Sequence, residues 1–199
     1  MSDILCVTDR RLCTDFPGQL KRITAGPAKP AAVILREKDL DALSYEQMAR
    51  EAINLFRQTG TPLILHSFPE VALELDWPAI HLPLHILREL PETMRRRFSV
   101  LGASCHSTAD AAEAEALGCT YLIAGHVFAT SCKPGLPPRG LDFLRQVCQT
   151  VHIPVYAIGG ITPDNIQSVY AAGARGACLR SGLMTCPDPT GLIQKLERV

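Results

Sequence analysis

The sequence predicts an α/β chain folded as a single (β/α)8 TIM barrel. Two patterns carry that expectation. Eight short apolar, β-branched runs recur along the 199 residues, and helix-like stretches separate them. Strands that alternate with helices form parallel sheets, and eight such units close on themselves. An open, doubly wound sheet with fewer units is the alternative. The length lies at the bottom of the barrel range, so the loops must be short. No linker divides the chain, which reads as one domain over residues 1–199.

The strand runs are 4–7, 31–35, 62–65, 79–82, 99–103, 120–124, 153–158 and 174–179. Ser44 is expected to cap a helix over 45–58. Thr108 is expected to cap an Ala/Glu-rich helix over 109–117, stopped by Gly118. Thr162-Pro163-Asp164 opens a helix over 165–172, closed by Gly173. Helices over 141–150 and 190–198 complete the set. Pro83 and Pro91 make the helix after the fourth strand short or broken.

Composition narrows the function classes. Apolar residues make up 47% and charged residues 20%, with a formal net charge of zero. No basic stripe points to nucleic acid, and Arg95-Arg96-Arg97 reads as a solvated helix end. No apolar stretch approaches the roughly 20 residues that span a membrane. The chain enters a strand directly after Met1-Ser2-Asp3, so no signal peptide and a cytoplasmic location are expected. Eight cysteines show no C-x-x-C spacing, which argues against a zinc ribbon and for reduced thiols. Cys6, Cys119 and Cys178 read as small buried hydrophobes. No charge pattern specific to a thiolate surrounds Cys132 in the sequence.

A barrel places its site at the C-terminal ends of the strands. There the sequence puts Thr8-Asp9-Arg10, Arg36-Glu37-Lys38, His66-Ser67, His81, Ser104, His106, His126, Gly159-Gly160 and Arg180-Ser181-Gly182. Gly159-Gly160 and Ser181-Gly182 follow strands 7 and 8, where barrels commonly bind phosphate through backbone N–H groups. Alternation turns Arg36 and Lys38 to one side of Glu37, toward an anion, or else the three form an exposed salt-bridged strand end. His66 and His81 are expected to point inward. Strands 3 and 4 offer no carboxylate beside them for a metal. His85 and His152 read as exposed, and His106 as a residue that orients the helix near Thr108. The most informative stretch runs from Gly125 to Gly135, through His126, Thr130-Ser131 and Lys133. It sets a ring with an unperturbed pKa of about 6.5 just beyond a strand.

Across nearly its whole length the chain resembles the thiamin phosphate synthase and TenI superfamily. The matching pieces are Cys6-Val7-Thr8-Asp9-Arg10, Leu35-Arg36-Glu37-Lys38-Asp39, Gly102-Ala103-Ser104-Cys105-His106-Ser107, the Gly125 segment and Ala157-Ile158-Gly159-Gly160-Ile161. Synthases of this superfamily join a pyrimidine pyrophosphate to a thiazole phosphate with magnesium. They carry a glutamine where Ile34 stands, an aspartate in the segment matching His66-Ser67-Phe68, and another in the segment after His81-Leu82. Both metal-binding aspartates are missing here. Synthases also usually have proline in place of His126. By contrast, Gly125-His126-Val127-Phe128, Cys132-Lys133, Gly135-Leu136 and Arg139-Gly140 look like the thiazole tautomerase TenI.

The resemblance implies a tautomerase that aromatises a carboxythiazole phosphate, with no metal and no cofactor. It implies His126 as the proton carrier. Gly159, Gly160 and Ser181 would grip the phosphate, Arg36 would pair with the carboxylate, and Ser104 would donate a hydrogen bond nearby. Lys133 would support either anion or order its loop. The expected partner is a small-molecule thiazole phosphate, with no nucleic acid and no membrane, in a homodimer. A divergent synthase using Asp9 or Glu37 for metal is one alternative, and a non-catalytic thiazole or thiamin phosphate-binding barrel is another. Two departures stand out. Residues 134–138 are unusually proline-rich, implying a stiff lid, and Arg180 replaces a small apolar residue.

Overall fold

The computed structural model of the chain describes residues 3–133 and 135–197. Eight parallel strands close into a barrel in chain order. They are β1 Ile4–Val7, β2 Ala32–Ile34, β3 Leu63–His66, β4 Ala79–Pro83, β5 Val100–Cys105, β6 Tyr121–Gly125, β7 Val155–Ile158 and β8 Gly176–Leu179. The helices are α1 Phe16–Ala25, α2 Ala42–Thr59, α3 Pro69–Glu74, α4 Leu84–Glu89, α5 Glu92–Arg95, α6 Thr108–Ala116, α7 Gly140–Thr150, α8 Ile166–Ala171, α9 Ser181–Met184 and α10 Pro189–Glu197. The expected barrel is therefore present. The end of the expected last helix, Arg198, lies outside the described residues, as does Pro134 of the proline-rich segment.

Two apolar layers hold the barrel. Alternate strand residues such as Leu5, Ile34, Ile64, Ile123 and Cys178 fill its interior. Their neighbours, such as Cys6, Val33, Leu65, Leu122 and Ala177, pack outward against the helices. This period-2 alternation also fixes the site. The inward series Ala32, Ile34 continues to Arg36, and the inward Cys178 continues to Arg180. Fully buried parallel strands lack a polar face, so the polar residues that remain collect at the strand ends.

Several helix boundaries differ from the sequence reading for local reasons. Asp41, rather than Ser44, caps α2, because its carboxylate accepts the Ser44 N–H at 2.8 Å. Ser107, rather than Thr108, caps α6, accepting the Asp110 N–H at 3.0 Å. Asp110 returns the bond by accepting the His106 N–H at 2.9 Å, a reciprocal cap. The sequence reading missed α1, α3 and α9, and the opening of α1, Phe16-Pro17-Gly18, looks like a turn. Pro17 in fact occupies the first turn, where its missing N–H is harmless. The connection after β4 is broken as expected, into α4 and α5. All eight cysteines are free, and Cys6, Cys119 and Cys178 are buried.

Tyr45 ties α2 to the two strands beneath it. Its hydroxyl donates to the Leu35 carbonyl at 2.7 Å and accepts the His66 N–H at 2.7 Å, with no surface exposed. Tyr45→Phe keeps the ring and deletes both bonds. The expected loss is about 1–3 kcal/mol of folding free energy, read from the midpoint of urea unfolding.

Candidate active site

A cavity of about 530 Å³ opens at the C-terminal ends of the strands. Strand alternation delivers His66 from β3, His81 from β4 and Ser104 from β5, with Arg36 just beyond β2 and Arg180 just beyond β8. Lys38, His106, His126 and Lys133 come from the loops above them. Of the seven site residues expected from sequence, Arg36, Ser104, His126 and Lys133 line this cavity. Gly159, Gly160 and Ser181 are not among the residues that line it.

The positive side is organised by one carboxylate. Glu37 is 2% exposed and faces away from its two basic neighbours. It accepts the Thr8 hydroxyl at 2.7 Å and the Arg10 N–H at 3.0 Å, and the Arg10 guanidinium sits at 3.4 Å. Thr8 Oγ1 in turn accepts the Arg36 N–H at 2.9 Å. Arg10 continues to Asp39 at 2.7 Å. So the salt-bridged strand end exists, but it uses Arg10. Among the described residues, Arg36, Lys38 and Lys133 have no ion-pair partner, while Arg180 meets Asp9 at 3.6 Å.

Mutual repulsion marks this group. Burial lowers the Arg36 pKa and the Arg180 charge lowers it further. Burial likewise lowers that of Lys38, with Arg36, Lys133 and Arg180 adding to the effect. An anion bound among them would relieve the repulsion. The sequence reading missed the Arg180–Asp9 pair and the cation beside Cys132. The latter thiol lies 3.8 Å from the Ser181 hydroxyl. Burial pushes the Cys132 thiol up, but Thr130, Arg180 and Ser181 together bring it below its usual value.

His126 is 5% exposed. Its Nε2 lies 3.3 Å from the Leu136 carbonyl, and its Nδ1 is buried with no hydrogen-bond partner among the described residues. The peptide between Gly125 and His126 is cis. The loop beyond is pinned to β7, with Val127 N–H donating to the Ile158 carbonyl at 2.9 Å and Phe128 N–H to Gly159 at 3.0 Å. Both glycines of the next turn have positive φ, +103° and +65°. A Cβ on Gly159 would lie 2.4 Å from the His126 Cβ, and one on Gly160 2.3 Å from the Ala129 carbonyl oxygen. Their visible role in the fold is to let the His126 loop seat closely. His106 is exposed and donates from Nδ1 to the Gly125 carbonyl at 2.8 Å, since a carbonyl only accepts.

The cavity floor is imidazole. His66 and His81 are level neighbours on β3 and β4, with rings stacked 5.7 Å apart. Burial holds the His66 pKa well below its usual value, helped by the charges of His81, Arg36 and Lys38. Burial, with Arg36, brings His81 down to about 3.

A family model described as thiamine monophosphate synthase, TMP-TENI, matches residues 4–183. The chain belongs to this family. A thiamine-phosphate synthase from Roseiflexus sp. strain RS-1 is 33% identical over 203 residues, covering 98% of this chain and 84% of the relative. One from Caldivirga maquilingensis is 37% identical over 153 residues, covering 75% and 73%. Among solved structures, a thiamine phosphate pyrophosphorylase from Pyrococcus furiosus superposes with a TM-score of 0.81 at 28% identity, covering 98% of this chain and 93% of that one. A 3-hexulose-6-phosphate synthase, at 14% identity and a TM-score of 0.67, shares the fold alone. Among the described residues, no helix of this TMP-TENI family member is long and apolar enough to cross a membrane.

The two floor histidines give the family fold here a pH dependence. Both stay neutral when folded and titrate near 6.5 when unfolded, so below that pH the unfolded chain binds more protons. Their stabilising contribution is whole above pH 6.5 and is lost as pH falls toward about 3, where His81 protonates in the fold. Urea unfolding at pH 7.5 and pH 5 is expected to show falling stability with a slope approaching about 1.4 kcal/mol per pH unit for each histidine. His81→Gln should flatten that slope.

Proposed function

We propose that this chain is a thiazole tautomerase that aromatises a carboxythiazole phosphate tautomer, with His126 moving the proton. The observation that supports it most is the absence of carboxylates where the resemblance puts a synthase's magnesium ligands: the segments His66-Ser67-Phe68 and Pro83-Leu84-His85-Ile86 hold none. Magnesium requires hard oxygen ligands, and the two neutral imidazoles of the cavity, His66 and His81, do not supply them. Asp110, which lines the cavity, accepts the His106 N–H and lies 4.0 Å from Arg88, while Asp9 is engaged by Arg11 and Arg180, and Glu37 by Thr8 and Arg10. Among the described residues, no group of three His, Cys, Asp or Glu side chains is placed to hold a metal ion. The residues present do not fit the magnesium site.

The charged side fits a doubly anionic substrate. Arg36, Lys38, Lys133 and Arg180 line the cavity, and among the described residues Asp9 is their one ion-pair partner, through Arg180. A phosphate and a carboxylate on one small molecule would neutralise them. Arg36 takes the carboxylate as a fork. Ser181 and the Gly159-Gly160 turn take the phosphate, with Lys133 and Arg180 closing over it.

The tautomer of His126 follows from its partner. The Leu136 carbonyl can only accept, so the neutral ring carries its proton on Nε2 and its lone pair on Nδ1. Nδ1 is then the base that receives the ring proton of the substrate. It is sealed in the resting chain, so the ring must turn to meet the substrate, which its long 3.3 Å contact to Leu136 permits. The imidazolium so formed returns a proton to the exocyclic carbon, and the thiazole becomes aromatic. Such positioned acid–base chemistry contributes about 10²- to 10⁴-fold.

The printed names of the relatives favour a second reading, a thiamine-phosphate synthase. One pair of assays separates the two. With the dihydrothiazole tautomer as substrate, aromatisation followed by absorbance should be fast in the wild type. His126→Asn should lower kcat by about 100-fold or more with KM little changed. An unchanged rate removes the ring from the mechanism. Magnesium-dependent formation of thiamin phosphate from pyrimidine pyrophosphate and thiazole phosphate would establish the synthase instead.

A further inference from the structure

We infer that Tyr121 and His81 are positioning residues that fix the Ser104 hydroxyl as a hydrogen-bond donor toward an acceptor atom of the bound ligand. Strand register builds this arrangement. His81 on β4, Gly102 on β5 and Tyr121 on β6 stand level across three adjacent strands. The middle residue must be glycine. A Cβ on Gly102 would lie 2.2 Å from Tyr121 Cζ and 2.5 Å from its hydroxyl oxygen. The phenol therefore crosses over β5 and reaches His81 Nδ1 at 3.0 Å. Ser104 is two residues beyond Gly102, hence on the same face, and its Oγ lies 2.9 Å from His81 Nε2.

Counting protons sets the direction of both bonds. Tyr121 is 6% exposed, and among the described residues its hydroxyl has one hydrogen-bond partner, His81. A buried O–H needs an acceptor, so Tyr121 donates to Nδ1. His81 is 2% exposed and neutral, with a single ring proton. That proton must then sit on Nε2, where it is donated to Ser104 Oγ. Ser104 keeps its own proton and turns it into the cavity it lines. The opposite assignment would leave the Tyr121 proton buried without an acceptor and turn Ser104 toward the ring.

The chain of groups orients rather than supplies protons. Passing a proton along it would leave a buried phenolate, and burial raises the Tyr121 pKa well above its usual value. A fixed donor in a recess favours a ligand that presents a lone pair, such as a carboxylate oxygen, and disfavours one that presents an N–H or O–H. The choice of ligand rests on the tautomerase reading. The proton placement does not.

The test uses the full chain with ¹⁵N-labelled histidine. Long-range ¹H–¹⁵N NMR should find His81 neutral with its proton on Nε2. Tyr121→Phe keeps the ring and should produce a mixture of tautomers. Calorimetric titration with the aromatic carboxythiazole phosphate should show binding weakened about 10-fold in both Ser104→Ala and Tyr121→Phe. A wild-type proton on Nδ1, a tautomer unmoved by Tyr121→Phe, or unchanged affinity in both variants would overturn the inference. If the wild type takes up no carboxythiazole phosphate, the functional reading fails and the NMR result alone decides the proton placement.

Discussion

The carboxylate of Glu37 sets the terms for the whole upper face of the barrel. Buried and bonded to Thr8 and to Arg10, it joins the ends of β1 and β2. Its negative charge is consumed there. The two cations beside it in sequence are consequently turned toward the cavity and left without a counter-charge of their own. Had Glu37 paired with Arg36 instead, the same residues would have made a neutral strand end. Positive potential in the cavity is thus a result of which arginine the carboxylate selects, and Arg10 wins because its backbone N–H and its guanidinium reach the same group.

Strand alternation and cap residues carried most of the fold in the sequence. Eight apolar runs mapped onto eight strands, with ends shifted by at most two residues. The shifts arise because strand ends are set by neighbour pairing rather than by apolarity. Short helices were harder to read. Six-residue α3 and α4 have too few turns for a period to show, and α1 begins with residues that ordinarily mark a turn. Cap residues were offset where Asp41 and Ser107 out-competed the hydroxyls next to them.

The site was legible at positions where one strand sufficed and obscure where several had to be combined. Arg36, Ser104 and His126 each lie at the end of a single run, and parity alone points Arg36 and Ser104 inward. Tyr121 was invisible as a site residue, because its significance depends on Gly102 and His81 from two other strands. Arg180 was noticed as unusual, but its pairing with Asp9 joins the two ends of the chain and no local pattern reports it. Gly159 and Gly160 were read as a phosphate turn. Their positive φ values and close contacts add a packing requirement that composition does not display.

That packing requirement has an evolutionary side. The space a side chain at 159 would need is taken by the Cα and Cβ of residue 126 and the backbone after it, atoms that every residue but glycine brings to that place. Position 126 can therefore change its chemistry while 159 stays glycine, whereas a substituent at 159 must re-route the β6 loop. Divergence in chemistry at the end of β6 is expected to run ahead of change in the turn after β7, which holds the loop whatever side chain it carries.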